Sequence, residues 1–214
     1  MSDLKGVDLL QAQQRKKFIY IDAFSQLFLP VPGEQSTTPM LSLNSRSPWA
    51  TQLAQTIVNA VRQIDFDKPA LFIEGLDFLA SAGEEVTADE LLTLVSSLSE
   101  VHSPVSQKLI RQCTSRIFIS LFADDNLLDS SNSTPLAQNQ SILLTSLVHR
   151  AHSVISLRPL QTGTAKDVTG ILRLTRGGAW YNFNTALTRQ SEETQEWEML
   201  YRLEDGRAKL FKQA

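Results

Sequence analysis

The chain has 214 residues, of which 42% are hydrophobic and 20% are charged, a composition typical of a soluble globular protein. Its net charge of −3 excludes a uniformly basic nucleic-acid-binding protein, so any RNA contact has to come from a local patch. The single cysteine, Cys113, excludes an intramolecular disulfide. No apolar run reaches the roughly 18 residues of a membrane span, and the N-terminus lacks the apolar centre of a signal peptide. We therefore expect a cytosolic or nuclear protein.

The first half of the chain predicts strands that alternate with helices. Residues 17–22 (KFIYID) predict a short buried strand, and the Pro/Ser/Thr-rich residues 30–48 predict a mobile loop. Ser47 and Pro48 suit the cap and first turn of a helix, which apolar residues at helical spacing extend to Ile64. Residues 69–75 (PALFIEG) are a continuous apolar run, as expected of a central parallel strand, with Glu74 at its end and Asp77 on the next loop.

The middle of the chain continues this alternation. Thr87 and Glu90 form a capping-box signature for a helix over 88–100, and a second helix is predicted from Ser103 to about Cys113. Residues 116–122 (RIFISLF) predict another buried strand. A polar, Ser/Asn-rich loop is expected over 123–140, followed by a helix over 141–151 and a strand over 153–157. Strands separated by helices in this way predict a parallel α/β sheet covered on both faces.

The period changes after Leu157. Apolar and polar residues alternate over 168–175, which predicts an antiparallel strand with one buried face. Gly177 and Gly178 predict a turn, and Asp205-Gly206 predicts a closing hairpin between about 198 and 211. No internal repeat or second domain is evident, so we expect one domain over residues 1–214.

Motifs for catalysis are missing from the sequence. A phosphate-binding loop needs GxxxxGK[ST], because its glycines let backbone N–H groups wrap the phosphates, and nothing here matches. Glu74 stands where such ATPases hold magnesium, but it is also a common strand-end acid. His149 and His152 lack further ligands for a metal, and there is no GxSxG elbow. We expect neither a cofactor nor a metal.

Basic residues concentrate near the C-terminal end. Arg158, Lys166, Arg173 and Arg176 lie in a stretch that holds one acid, Asp167. The set is compatible with a subunit interface or a contact to a phosphate backbone, where Arg and Lys serve well. It is equally compatible with an ordinary charged sheet face, because no aromatic residues interleave with the charges.

The stretch 158–178, RPLQTGTAKDVTGILRLTRGG, resembles the C-terminal signature of the Elongator subunit six family. Other segments resemble that family in the same order: GVDLL, RKKFIYIDAFSQLF, PALFIEGLDFLAS and LIRQCTSRIFISLFADD. The resemblance covers essentially the whole chain, and its specific part is the C-terminal stretch.

This resemblance implies a RecA-like α/β fold without working phosphate-binding motifs and with a C-terminal antiparallel hairpin extension. It also implies a non-catalytic subunit of a heterohexameric ring with Elongator subunits four and five. That ring binds tRNA and supports modification of its wobble uridine. Lys166, Arg173, Arg176 and Arg158 become candidates for ring-interface or tRNA contacts, and Glu74 becomes a degenerate magnesium-site acid.

One feature departs from the family pattern. Members carry an upstream strand, a degenerate phosphate loop, a helix and a further strand before the GVDLL segment, and here that unit is absent from the sequence. Its strand would lie inside the parallel sheet, so we expect the isolated chain to fold poorly without its partners. Two other classes stay open: a recombinase-type ATPase or its partner in DNA repair, and a metabolic α/β enzyme. The missing phosphate loop argues against the former, and the missing acid/base constellation weakens the latter.

Overall fold

The computed structural model describes twelve helices and strands in two compact units, residues 1–143 and 144–214. The described residues are 8–23, 49–64, 69–82, 86–99, 116–123, 128, 134–160, 163, 167–183, 195–204 and 207–212. The predicted loop over 30–48, the predicted helix up to Cys113 and the candidate Lys166 lie outside them. One domain over 1–214 therefore stays a prediction.

Helices dominate the first unit, and their bounds follow local sequence signals. The first helix, α1 (Leu9–Gln14), is capped by the Asp8 carboxylate, which accepts a hydrogen bond from the Gln11 N–H at 3.0 Å. The predicted capping box is confirmed: the Thr87 N–H donates to Glu90 Oε2 at 3.1 Å, and the Glu90 N–H donates to Thr87 Oγ1 at 3.3 Å. The helices of this unit are α1 (Leu9–Gln14), α2 (Trp49–Val61), α3 (Leu76–Ala82), α4 (Ala88–Ser99) and the first part of α5 (Pro135–Arg150).

The core of the first unit lies mainly between α2 and α4. Their buried residues recur at helical spacing, with Leu53 and Ile57 on one helix and Leu91, Leu94 and Leu98 on the other. The Trp49 indole N–H also donates to Glu90 Oε2 at 3.5 Å, which ties the start of α2 to the capping box of α4. Apolar packing therefore holds these two helices together, as their periodicity predicts.

A two-stranded parallel sheet completes the first unit. β1 (Ala70–Glu74) pairs with β2 (Arg116–Ser120) in register, which confirms the two predicted apolar strands and their parallel direction. The expectation that these strands are buried is wrong, because exposed and half-buried residues alternate along both of them. Phe72 and Phe118 are opposite each other and stack with their ring centroids 4.7 Å apart. The predicted strand over 17–22 is not formed: only Asp22 makes a β-bridge. A short apolar run becomes a strand only where another strand pairs along its length.

The second unit is a four-stranded antiparallel sheet in the order β3–β4–β5–β6. Its strands are β3 (Ser153–Arg158), β4 (Gly170–Arg176), β5 (Trp197–Glu204) and β6 (Arg207–Lys212), and a short helix, α6 (Gly178–Phe183), follows β4. The antiparallel hairpins are confirmed. The placement of residues 153–157 in the parallel sheet is wrong, because β3 pairs antiparallel with β4 along its whole length.

Two local expectations are also corrected. Residues 135–140, expected in a loop, form the start of α5, whose first backbone N–H groups are capped by Thr134. Gly178, expected in a turn, begins α6. The chain is thus α/β, as predicted, with a parallel pair in one unit and an antiparallel sheet in the other. A RecA-like arrangement stays a prediction.

Strand register gives the antiparallel sheet two different faces. Residues that are directly paired, and those two apart along a strand, lie on the same side. The polar sheet face carries the charged residues Arg158, Arg173, Glu198, Arg202, Glu204, Arg207 and Lys209. The apolar sheet face carries Ile155, Leu157, Leu172, Leu174, Trp197, Met199, Tyr201, Leu203, Ala208 and Leu210, together with the charged residues Arg176 and Lys212 at the ends of β4 and β6.

Candidate functional site

The predicted basic residues are divided between the two faces of the antiparallel sheet. Arg158 and Arg173 lie on the polar sheet face, on the adjacent strands β3 and β4. Arg176 lies three positions beyond Arg173 on β4, and therefore on the opposite side. Arg158 and Arg173 therefore share one face of the sheet, and Arg176 lies on the other face.

Arg158 and Arg173 share one acidic neighbour. The Arg158 Nη2 atom lies 3.0 Å from Glu198 Oε2, and Arg173 is directly opposite Glu198 in the β4–β5 register. Among the described residues, Arg173 has no ion-pair partner within 4.0 Å, and its side chain is exposed. The exposed ion pair between Arg158 and Glu198 contributes at most about 1 kcal/mol to the free energy of unfolding. The arrangement fixes the Arg158 guanidinium and leaves that of Arg173 open to solvent.

A second charge cluster on the polar sheet face was missed from the sequence. Arg202 Nη1 lies 3.6 Å from Asp167 Oδ1, and Arg202 Nη2 lies 3.2 Å from Glu204 Oε1. Lys209 Nζ lies 3.2 Å from the second carboxylate oxygen, Glu204 Oε2. The hydrogen bond from Lys209, followed by the positive charge of Arg202, lowers the pKa of Glu204 below its ordinary value of 4.5. The period-two spacing of charges on β5 and β6 is the sequence signal that could have found this cluster.

The polar sheet face carries more positive than negative charge. Among the residues that the structure describes, five cations (Arg158, Arg173, Arg202, Arg207 and Lys209) lie with three acids (Asp167, Glu198 and Glu204), an excess of two positive charges in a chain whose net charge is −3. Such a face can bind an anionic polymer through its exposed guanidinium and ammonium groups.

Arg176 has a structural environment instead. Its guanidinium carbon lies 3.9 Å from the centroid of the Trp180 ring on α6, a cation–π contact. The two glycines between them allow a close approach to the end of α5: a Cβ at Gly177 would lie 2.1 Å from the Ala151 carbonyl oxygen, and one at Gly178 would lie 2.4 Å from that of His149. The RGG end of the signature therefore joins α5, β4 and α6.

Glu74 and Asp77 lie near the carboxyl end of β1. Glu74 is exposed and pairs in register with Ser120 of β2, and Gly75 follows it with a φ of 75°, a conformation that glycine adopts readily. The sequence predicts Asp77 on a loop, but Asp77 lies in the first turn of α3, where it is buried. Its carboxylate suits the positive end of the helix dipole. The two acids therefore differ in burial.

The described residues contain no group of three or more metal-binding side chains. His152 Nδ1 lies 3.2 Å from Ser153 Oγ, whereas His149 lies in the last turn of α5. Within the same part of the chain, no helix is both long and apolar enough to cross a bilayer.

Comparison with known proteins identifies two relatives. The chain is 26% identical over 209 residues to the "Elongator complex protein 6 homolog" of Schizosaccharomyces pombe, a match that covers 96% of this chain and 70% of the relative. It is 38% identical over 128 residues to "Elongator complex protein 6" of Saccharomyces cerevisiae, which covers 56% of this chain and 43% of the relative. Both matches support the assignment of the chain to the Elongator subunit six family. No protein-family model matches it.

The relatives confirm the resemblance stated from the sequence. The match to the fission yeast member extends over nearly the whole chain, as the resemblance implied. Both relatives are named as proteins of the Elongator complex, and these names support the role of an Elongator subunit for the chain. The candidate residues Arg158, Arg173 and Arg176 now have a described geometry, whereas their contacts stay a prediction.

Proposed function

We propose that the chain is a non-catalytic subunit of a heterohexameric ring formed with Elongator subunits four and five. In this proposal the ring binds tRNA and supports modification of its wobble uridine in the cytosol or nucleus. The observation that carries the proposal is the match to two Elongator complex proteins, one of which extends over 96% of the chain.

Co-expression tests ring membership. The chain is produced alone and together with subunits four and five, and the products are weighed by native mass spectrometry. We expect poor solubility alone and a hexamer with two copies of each subunit on co-expression. A stable monomer that binds neither partner would refute the proposed ring.

The polar sheet face supports the proposed tRNA contact. Its excess of two positive charges provides the local basic patch that an otherwise acidic chain needs to approach a phosphate backbone. Arg173 is its best candidate, since its side chain is exposed and it has no ion-pair partner among the described residues. Arg158 is already held by Glu198, so its substitution would also disturb the sheet surface.

A ring that contains the Arg173→Gln variant of this chain tests the contact against a matched control. Arg62→Gln removes the same charge from another exposed arginine, which follows α2. We expect Arg173→Gln to weaken tRNA binding in mobility-shift titrations and to lower the slope of log affinity against log salt by about 1, the loss of one phosphate contact. Arg62→Gln should leave both quantities unchanged. Equal behaviour of the two variants would remove Arg173 from the contact.

A further inference from the structure

A mainly apolar row of residues crosses the polar sheet face from β3 to β6. Directly paired positions on the four strands form this row, which consists of Arg158, Ile171, Leu200 and Phe211. Ile171, on a central strand, is only 8% exposed, whereas Phe211, on the edge strand β6, is 41% exposed. The row therefore ends at the sheet edge in an aromatic ring that is partly open to solvent.

Cations lie on both sides of this row. Lys209 is two positions from Phe211 on β6, and therefore on the same face and about 7 Å away along the strand. Its side chain is 61% exposed, and Arg202 is directly opposite it on β5. Arg173 lies on the other side of the row, on β4. Sheet pairing thus brings an aromatic ring to the basic stretch 158–178, which contains none itself.

The charge of the polar sheet face favours an anionic occupant. Its described residues carry two more positive than negative charges, so two copies of the chain would repel each other through this face. Nucleic acid offers phosphates to guanidinium and ammonium groups, and the flat face of a base to a phenyl ring. An acidic peptide also matches the charges, but peptide anchors fill pockets that exclude water. Phe211 instead lies on an exposed edge strand, which suits a stacking base.

Base pairing decides which part of an RNA can use this ring. In a duplex the bases stack on one another, whereas the bases of loops and ends can be splayed out onto aromatic side chains. We infer that Phe211 is a stacking platform for an unpaired base of the bound RNA, and that Lys209 contacts the adjacent phosphate. This inference rests on the proposed tRNA binding and specifies the part of the RNA that the polar sheet face recognises.

Substitutions of Phe211 in the co-expressed ring test the inference. Phe211→Leu keeps an apolar side chain but removes the phenyl ring, and Phe211→Tyr keeps the ring. Phe72→Leu is the matched control, because it removes an exposed phenyl ring from β1. For a short single-stranded RNA of mixed sequence, we expect Phe211→Leu to weaken binding at least about fivefold. Phe211→Tyr and Phe72→Leu should bind like the wild type, and wild-type affinity of the Phe211→Leu ring would overturn the inference.

Two further measurements separate stacking from charge. Phe211→Leu should leave the affinity for a blunt duplex RNA unchanged, because paired bases cannot reach the ring. It should also leave the slope of log affinity against log salt unchanged, whereas Lys209→Gln should lower that slope by about 1. Equal losses of affinity for single-stranded and duplex RNA would overturn the stacking role of Phe211.

Photocrosslinking of the unaltered ring removes any dependence on how a variant folds. A short single-stranded RNA that contains iodouridine forms covalent bonds on irradiation with aromatic side chains stacked against it, and mass spectrometry of the peptides locates these bonds. We expect a crosslink at Phe211. Crosslinks confined to other peptides would overturn the platform.

The outcomes keep the inference apart from the proposed function. A wild-type ring that binds neither tRNA nor the single-stranded RNA would overturn the proposed tRNA binding and the inference with it. A wild-type ring that binds tRNA, with Phe211→Leu binding both RNAs equally well, would overturn the inference only. Loss of another Elongator protein from the Phe211→Leu complex, with the RNA affinity retained, would assign the face to an acidic protein partner and overturn the inference.

Discussion

Gly177 offers the sharpest test of how the signature stretch works. A Cβ at this position would lie 2.1 Å from the Ala151 carbonyl oxygen, 2.6 Å from the Ala151 carbonyl carbon and 3.1 Å from the Ala151 Cβ. The Gly177 N–H also donates to the His152 carbonyl oxygen at 2.9 Å, so the loop cannot move away without losing a hydrogen bond. Gly177→Ala therefore forces backbone atoms apart where α5 meets the end of β4.

The expected cost follows from overpacking. Extra methyl groups in a well-packed region cost about 1–3 kcal/mol, and a contact with backbone rather than a flexible side chain favours the upper end. At about 2–4 °C per kcal/mol for a chain of this length, we expect Gly177→Ala to lower the melting temperature by roughly 6–12 °C. Differential scanning fluorimetry of the variant in the co-expressed complex measures the shift.

Two comparisons isolate the cause. Gly163→Asn is the matched control, because nothing lies within 4 Å of a Cβ there and Asn tolerates its φ of 87°. Ala151→Gly in the Gly177→Ala background removes the Ala151 Cβ but leaves its carbonyl in place, so it should not restore stability. If the Gly177→Ala protein were as stable as the Gly163→Asn protein, the steric argument would be refuted. Full rescue by Ala151→Gly would show that the new methyl group clashes with the Ala151 Cβ and not with the Ala151 carbonyl.

Two further predictions concern local electrostatics and capping. Thr87→Ala should cost about 1 kcal/mol, because it removes the hydroxyl that accepts from the Glu90 N–H, whereas Thr87→Ser should keep most of the stability in urea unfolding. Glu204→Gln should destabilise the chain above the ordinary glutamate pKa of 4.5, because the folded pKa of Glu204 is lowered by Lys209 and Arg202. That difference from the wild type should vanish as the pH falls through the lowered folded pKa, and a urea-midpoint difference that grows in acid would contradict this assignment.

Much of the local structure is determined by the sequence alone. The capping box at Thr87 and Glu90, the helical spacing of Leu53 and Ile57, and the apolar run of β1 predict elements that the structure confirms. These signals succeed because a cap or a helical face depends on residues three or four positions away. The specific C-terminal stretch also sufficed to recognise the family.

Tertiary structure decided the features that depend on distant partners. β3 follows a helix, as a strand of a parallel sheet would, but its pairing with β4 is antiparallel and places it in the second sheet. That pairing, together with the register between β4 and β5, places Arg158 beside Glu198, forty residues away. A strand's direction and register are chosen by the strand it pairs with, and the side of a sheet that a charge occupies follows from that register. Local periodicity predicts the strands, and only their pairing assigns their charged and apolar faces.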